Sequence, residues 1–251
     1  MKIKRILISQ PQPTTEKSPY FEVAEKYKVT LDFCQFIHVE GVLAKDFRAS
    51  RVNILDHTAV IFNSRTAIDH FFRICDEIRV QVPDTMKYFC TSESIAVYLQ
   101  KYIVYRKRKI FFGQKSLEDL ADVLVKHKDE KYLVPISTVH NDEIPVLLNQ
   151  YSLSYTKAFF YRTLSNDVRH LDMDQYDMLV FYSPVGIESL FENFPDFKQD
   201  TRFIGTFGHH TARAAEQAGL RIDLKVPSPD FPSMTMALDK FLGELCKKSA
   251  K

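Results

Sequence analysis

The sequence predicts an α/β fold made of two similar domains, each a parallel sheet flanked by helices. Two observations carry that expectation. Short, continuously apolar runs, which read as strands buried on both faces, alternate with helical patterns of about 10–15 residues, the signature of parallel α/β units. The same order of strand and helix then returns later in the chain. VIFNSRTAIDHFF (Val60 to Phe72) resembles LVFYSPVGIESLF (Leu179 to Phe191). Ser64 meets Ser183, Ala67 meets Gly186, Ile68 meets Ile187 and Asp69 meets Glu188 at one constant offset. YFCTSESIAVYL resembles FIGTFGHHTARAA, with Thr91 opposite Gly208 and Ser94 opposite Thr211. Nearly the same offset joins Ser116 to Ser233, Leu117 to Met234 and Leu124 to Phe241.

Taken in order, Arg5 to Ser9 (RILIS) reads as a buried strand, Pro19 to Tyr27 as a helix and Phe33 to Glu40 (FCQFIHVE) as a strand. Ala59 to Asn63 is a strand and Ser64 to Ile78 a helix. Lys87 to Cys90 is a short strand, followed by a helix over Ser92 to Tyr102. Lys109 to Gly113 is a strand and Ser116 to His127 a helix. A fainter pair precedes each repeated set: RILIS with FCQFIHVE, then KYLVPIS with AFFYRTLS. No Pro/Gly/Ser-rich linker separates the halves. Phe36 to Glu40 and Phe159 to Thr163, aromatic and β-branched, are the expected crossings between them.

Composition narrows the function. Thirty-four Lys and Arg against 32 Asp and Glu leave a net charge of +2, so no basic excess announces a nucleic-acid binder. Seven glycines in 251 residues argue against a glycine-rich phosphate loop. Neither GxGxxG nor GxxxxGK[ST] occurs, and GTFG (Gly205 to Gly208) lacks the third glycine of the first pattern. Cys34, Cys75, Cys90 and Cys246 are scattered and form no CxxC pair, which reads as buried thiols in a reducing compartment. The start MKIKRILISQPQP has too short an apolar run for a signal peptide. No apolar stretch reaches the roughly 18 residues needed to span a bilayer. The expectation is a cytoplasmic protein with no membrane partner.

In parallel α/β sheets, ligands bind past the carboxyl ends of the strands. Here those ends carry Ser64, Thr91, Ser92, Ser94, Ser137, Thr138, Ser183 and Thr211. N-capping accounts for any one of them. Eight of them, spread over both halves, favour a site for a ligand with several carboxylates or phosphates, held by hydroxyls and free helix N–H groups. His209 and His210 stand at a predicted helix start, and with no Cys or carboxylate near them in sequence a turn or capping role is favoured over metal. YRKRK (Tyr105 to Lys109) precedes a predicted strand, away from the expected site, and reads as a solvated basic face. Ser183 lacks the flanking glycines of a G-x-S-x-G elbow. Tyr161, in FFYRT on the second crossing, could donate a proton. Taken alone it reads as an aromatic core residue.

FYSPVGIESLF followed by IGTFGHHTARAAEQAGL resembles the carboxy-terminal signature of uroporphyrinogen-III synthases, whose blocks run F-[TF]-S-P-x-[GA], then I-G-P-x-T-A-x-A and A-G-L. FFYRT is similar to the family's V-Y-x-T crossing strand, and VPISTVHNDEIPVLL to its stretch with a P-x-G-N loop before a helix. The resemblance spans essentially the whole chain in the right order. It implies two α/β domains joined by a two-stranded linker, the first made of 1–38 with 166–251 and the second of 39–165, with linker strands near 36–40 and 159–165. It implies that hydroxymethylbilane, a linear tetrapyrrole with eight carboxylates, loses its terminal hydroxyl as water, inverts ring D through a spiro intermediate and closes to uroporphyrinogen III. It implies no cofactor and a monomer, while the residues themselves speak against a metal and against nucleic acid. Unassisted closure gives the uninverted isomer, so the protein must mainly hold the chain ends in the inverting geometry.

Carried over residue by residue, the resemblance makes Tyr161 the candidate to assist hydroxyl departure. Ser64 and Ser183 match the serines of the two S-P-type helix starts, Thr211 the threonine of G-x-x-T-A and Ser94 its counterpart. Thr91, Ser137, Thr138, Gly186 and His210 complete the expected carboxylate contacts. The chain departs from the pattern at His209 for Pro, Arg65 for Pro, Ser137 and Thr138 for Gly-Asn, and Gln10 for Arg. Arg65 is then the candidate to supply the charge that Gln10 lacks. A non-catalytic two-domain protein that closes on a poly-carboxylate molecule would need the same sheets and helix starts. The ordered motif set with Tyr161 separates the two readings.

Overall fold

A computed structural model describes residues 3–113, 118–139 and 142–249. Along the chain run β1 (Arg5–Ile8), α1 (Pro19–Tyr27), β2 (Thr30–Phe33), β3 (Ile37–Gly41), α2 (Ala44–Ala49), β4 (Ala59–Phe62), α3 (Arg65–Glu77), β5 (Lys87–Cys90), α4 (Glu93–Tyr98), β6 (Ile110–Phe112) and α5 (Glu118–Lys126). Then come β7 (Tyr132–Ser137), α6 (Glu143–Gln150), β8 (Tyr155–Ser165), β9 (Met178–Phe181), α7 (Pro184–Asn193), β10 (Phe203–Phe207), α8 (His209–Gln217), β11 (Leu224–Val226) and α9 (Met234–Ser249). The chain divides into two compact units, Met1–His38 with Leu164–Lys251, and Val39–Thr163. It passes from one to the other within β3 and within β8.

The first unit holds a five-stranded sheet in the order β11-β10-β9-β1-β2, with all four strand pairings parallel. Side chains alternate between its faces. Ile6, Ile8, Met178 and Val180 pack with Val23 of α1 and with Met234, Leu238 and Leu242 of α9. Leu7, Leu179 and Ile204 pack on the other side with Ile187 and Leu190 of α7 and Ala215 of α8. α1 begins on Pro19, whose missing N–H costs nothing at a first turn, and stops where Lys28 turns left-handed (φ 53°), its N–H reaching back to Ala24 and Glu25.

The second unit holds a six-stranded sheet in the order β3-β8-β7-β4-β5-β6. Ala59, Ile61, Phe89, Tyr132 and Val134 face α5 and α6. Val60, Phe62, Tyr88, Leu133 and Phe160 face α2, α3 and α4. α3 shows why these faces hold: Ala67, Ile68, Phe71, Phe72, Ile74 and Cys75 follow the helical spacing and are all buried.

The two-domain parallel α/β class expected from the sequence is what the chain adopts. The repeat is real as well, since β4 and β9, then β5 and β10, occupy equivalent central places. The fainter pairs join crosswise. β1-α1-β2 flanks β9 of the later set, and β7-α6-β8 flanks β4 of the earlier one. Two sequence expectations need correction. Phe33 to Glu40 is not one strand: it splits into the end of β2 and most of β3, because Phe36 between them is fully buried, edge-on to Phe181. The helix foreseen over Ser92 to Tyr102 ends at Tyr98 and tightens into a 3-10 turn over Leu99–Lys101. α2 and β11 were not foreseen. Ser116 and Leu117 of the repeat, and His140 and Asn141 of the VPISTVHNDEIPVLL stretch, lie outside the described residues.

Candidate functional site

In the second unit the candidates gather at the carboxyl ends of β4, β5, β7 and β8. β4 ends at Phe62, and Ser64 caps α3 in extended conformation (φ −156°, ψ 157°), its Oγ accepting the Ala67 N–H at 3.1 Å. This bond satisfies one otherwise unpaired helix donor. β8 delivers Tyr161 through an irregularity. β7 and β8 run in register until Ile136 opposes Phe159, and then Ser137 opposes Tyr161. One extra residue on β8 breaks the alternation, as a bulge does. Phe160 and its immediate neighbour Tyr161 therefore both enter the core on the α3 side, while Phe159 stays exposed.

Tyr161 is 8% exposed and its phenol lies 3.4 Å from Ser64 Oγ. Its carbonyl accepts the Thr138 N–H at 3.1 Å. Burial pushes the phenol's pKa up, and the Ser64 hydrogen bond offsets part of that rise. The group therefore stays protonated at neutral pH. Around it, Ser137 Oγ lies 3.1 Å from Thr163 Oγ1, and Thr91 N–H reaches the Phe62 carbonyl at 3.0 Å. Ser94 is exposed, its Oγ 3.1 Å from Ser92 Oγ. Arg65 is exposed in the first turn of α3, its guanidinium 5.3 Å above the Tyr98 ring.

In the first unit, Ser183 repeats Ser64: φ −150°, ψ 152°, with its Oγ accepting the Gly186 N–H at 3.0 Å. The fit at Gly186 is close, because a Cβ there would stand 3.3 Å from Ser183 Oγ and in ordinary contact, at 3.5 Å, with the Phe181 ring. His209 and His210 open α8 with ring centroids 3.8 Å apart, and Thr211 behind them is 2% exposed. Beside Ser183, the Tyr182 phenol hydrogen-bonds the Tyr20 phenol, and burial pushes both up.

Sequence reading did not single out His70 or Arg73. The His70 ring stacks on Tyr161 at 5.3 Å between centroids and 17° between planes. Arg73 Nε–H donates to His70 Nδ1 at 3.1 Å. A signal for them existed: with Glu77 they form a polar stripe along α3 beside its apolar face.

Two α/β units with permuted strand order, and capped helix starts after their central strands, define a class of two-unit parallel α/β protein. The family model described as uroporphyrinogen-III synthase HemD matches residues 24–236, and the chain belongs to the uroporphyrinogen-III synthase family. That membership favours the enzyme over the non-catalytic binder. No curated protein sequence matches the chain significantly. Among solved structures, a mutant uroporphyrinogen III synthase from the extremely thermophilic bacterium Thermus thermophilus is similar at TM-score 0.60 and 14% identity, covering 97% of this chain and 99% of that one. The uroporphyrinogen-III synthetase of Helicobacter pylori is similar at TM-score 0.60 and 13% identity, covering 97% and 100%. At that identity the likeness shows the fold. Among the described residues, no helix is long and apolar enough to cross a membrane.

Proposed function

We propose that this chain converts hydroxymethylbilane to uroporphyrinogen III, losing water, inverting ring D and closing the macrocycle, with Tyr161 as its acid. The observation that carries the reading is the buried phenol beside Ser64. The Tyr161 proton passes to the terminal hydroxyl, the C–O bond breaks, and water leaves behind a cationic azafulvene carbon. Ring D attacks that carbon to give the spiro intermediate, which opens and recloses with the ring inverted. The proton that the closing pyrrole loses balances the one Tyr161 gave, so water is the net by-product.

Ser64, Arg65, Thr91, Ser94, Ser137 and Thr138 from one unit, and Ser183, Gly186, His210 and Thr211 from the other, are our candidates to hold the substrate's carboxylates through hydroxyl, guanidinium and backbone N–H groups. The exposed Arg106, Lys107 and Arg108 stand at the amino end of β6, the opposite end of the sheet from Ser64, so we assign no nucleic acid to this enzyme. All four cysteines are free, which suits the reducing cytoplasm, and we take the working form to be a monomer.

The test is a coupled assay. Hydroxymethylbilane is generated in situ, the products are oxidised, and type I and type III uroporphyrin are separated chromatographically. A type III majority is expected. A type I product matching the no-protein control would overturn the reading.

A further inference from the structure

Tyr161 meets Ser64 at its hydroxyl, and the face of its ring is governed by a different residue. His70 lies nearly parallel to that face. Its own orientation is set from behind. Arg73 Nε–H donates to His70 Nδ1, and since a guanidinium only donates, that nitrogen holds no proton and the ring's proton sits on Nε2. Arg73 is fixed in turn. Its other nitrogens donate to Glu77 Oε1 at 2.5 Å and to the Val42 carbonyl at 2.7 Å. Gly41 leaves the room: a Cβ there would fall 2.6 Å from an Arg73 terminal nitrogen. A polar chain from Glu77 through Arg73 to His70 thus ends on the aromatic face of Tyr161.

We propose that His70, locked by Arg73 with its proton on Nε2, is the positioning residue for Tyr161, holding the phenol toward Ser64 and keeping water off that face. The proposal rests on Tyr161 being the acid. The charged groups that face His70 are Arg73, Asp69 and Glu77, all from α3, and Tyr161 is the titratable group that faces it from β8. Burial, then the Arg73 charge, keep His70 neutral against the weaker opposing pull of Asp69 and Glu77. A neutral imidazole leaves the phenol as an acid. An imidazolium in the same place would stabilise phenolate and release the proton early.

The experiment compares His70→Leu, which keeps bulk but loses the aromatic face, with His70→Phe, which keeps the face. Tyrosine labelled with ¹³C at Cζ reports the phenol titration without substrate, and the Tyr161 signal is the one missing in Tyr161→Phe. In His70→Leu we expect kcat for type III product to fall about tenfold with KM within about twofold. The Tyr161 midpoint should fall toward that of a free tyrosine. His70→Phe should restore both to within about threefold of wild type. An unmoved Tyr161 titration in His70→Leu, or an equal loss in His70→Phe, would overturn the proposal. So would ¹⁵N shifts placing the wild-type His70 proton on Nδ1 at neutral pH, a measurement that needs no variant to fold. A wild-type protein that makes no type III isomer would instead sink the catalytic reading of Tyr161, while the titration would still decide whether His70 governs the phenol.

Discussion

Ser64 and Ser183 do the same local work in different company, and that difference can be measured. Each caps a helix through one accepted N–H bond, so replacing either by alanine should cost about 1 kcal/mol of stability, read from denaturant midpoints. Ser64→Ala should in addition slow type III formation, because it strips the Tyr161 phenol of its neighbour. Tyr161→Phe should lower type III formation by about a hundredfold or more, within the range of general acid catalysis, and leave the melting temperature nearly unchanged. His70 adds a pH signature. Its pKa is lowered in the folded chain, so between that value and about 6.5 the unfolded chain binds more protons than the folded one. Stability should therefore fall as pH drops below about 6.5, and His70→Leu should lose that component when urea midpoints at pH 7.5 and 5.5 are compared. Tyr161 was singled out in the sequence because of the motif around it. His70 was not, since its stacking on Tyr161 is a tertiary contact with a strand far along the chain.

Helix and strand existence followed closely from pattern: α1 and β5 have the limits that periodicity predicts, and α3 differs only by its caps. What pattern could not supply was a break in phase. The extra residue in β8 turns the neighbours Phe160 and Tyr161 onto one face, and the apolar run Ala158–Tyr161 reads the same with or without it. The split between β2 and β3 is a similar case, since Phe36 looks like a strand residue and is instead a buried plug. At this scale Gly186 is the sensitive point of α7. Gly186→Ala would press a methyl group against Ser183 Oγ. A loss of about 1–2 kcal/mol is expected in a denaturation experiment, with unfolding still cooperative, and a neutral result would mean that the α7 start yields easily.

The whole molecule carries its similarity in one order and its pairing in another. The sequence displayed two similar sets. It did not say that β1 belongs beside β9, because a repeat reports likeness between segments and is silent on which segments touch. The family resemblance suggested that division, and Ile6 opposite Met178 is the contact behind it. A consequence is that the second unit is continuous in sequence and has helices on both faces of its sheet. Residues 37–165 produced alone should give a folded, cooperatively melting domain by circular dichroism and dispersed amide NMR spectra. A disordered fragment would show that this core needs the rest of the chain. If the fragment folds, the full chain should unfold in more than one step.

The crossing at β3 also sets a schedule on the ribosome. β1, α1 and β2 emerge before β9, the strand that pairs with β1 on its other side and that follows more than a hundred residues later. At ordinary translation speeds the wait is about ten to thirty seconds. Through that interval Ile6, Ile8 and Val23 lack Met178, Val180 and the α9 side chains they pack against, while the whole of the intervening, continuous unit is made. A holding chaperone is then expected to bind this segment, and the unit completed later is the one that includes residues made before the other unit.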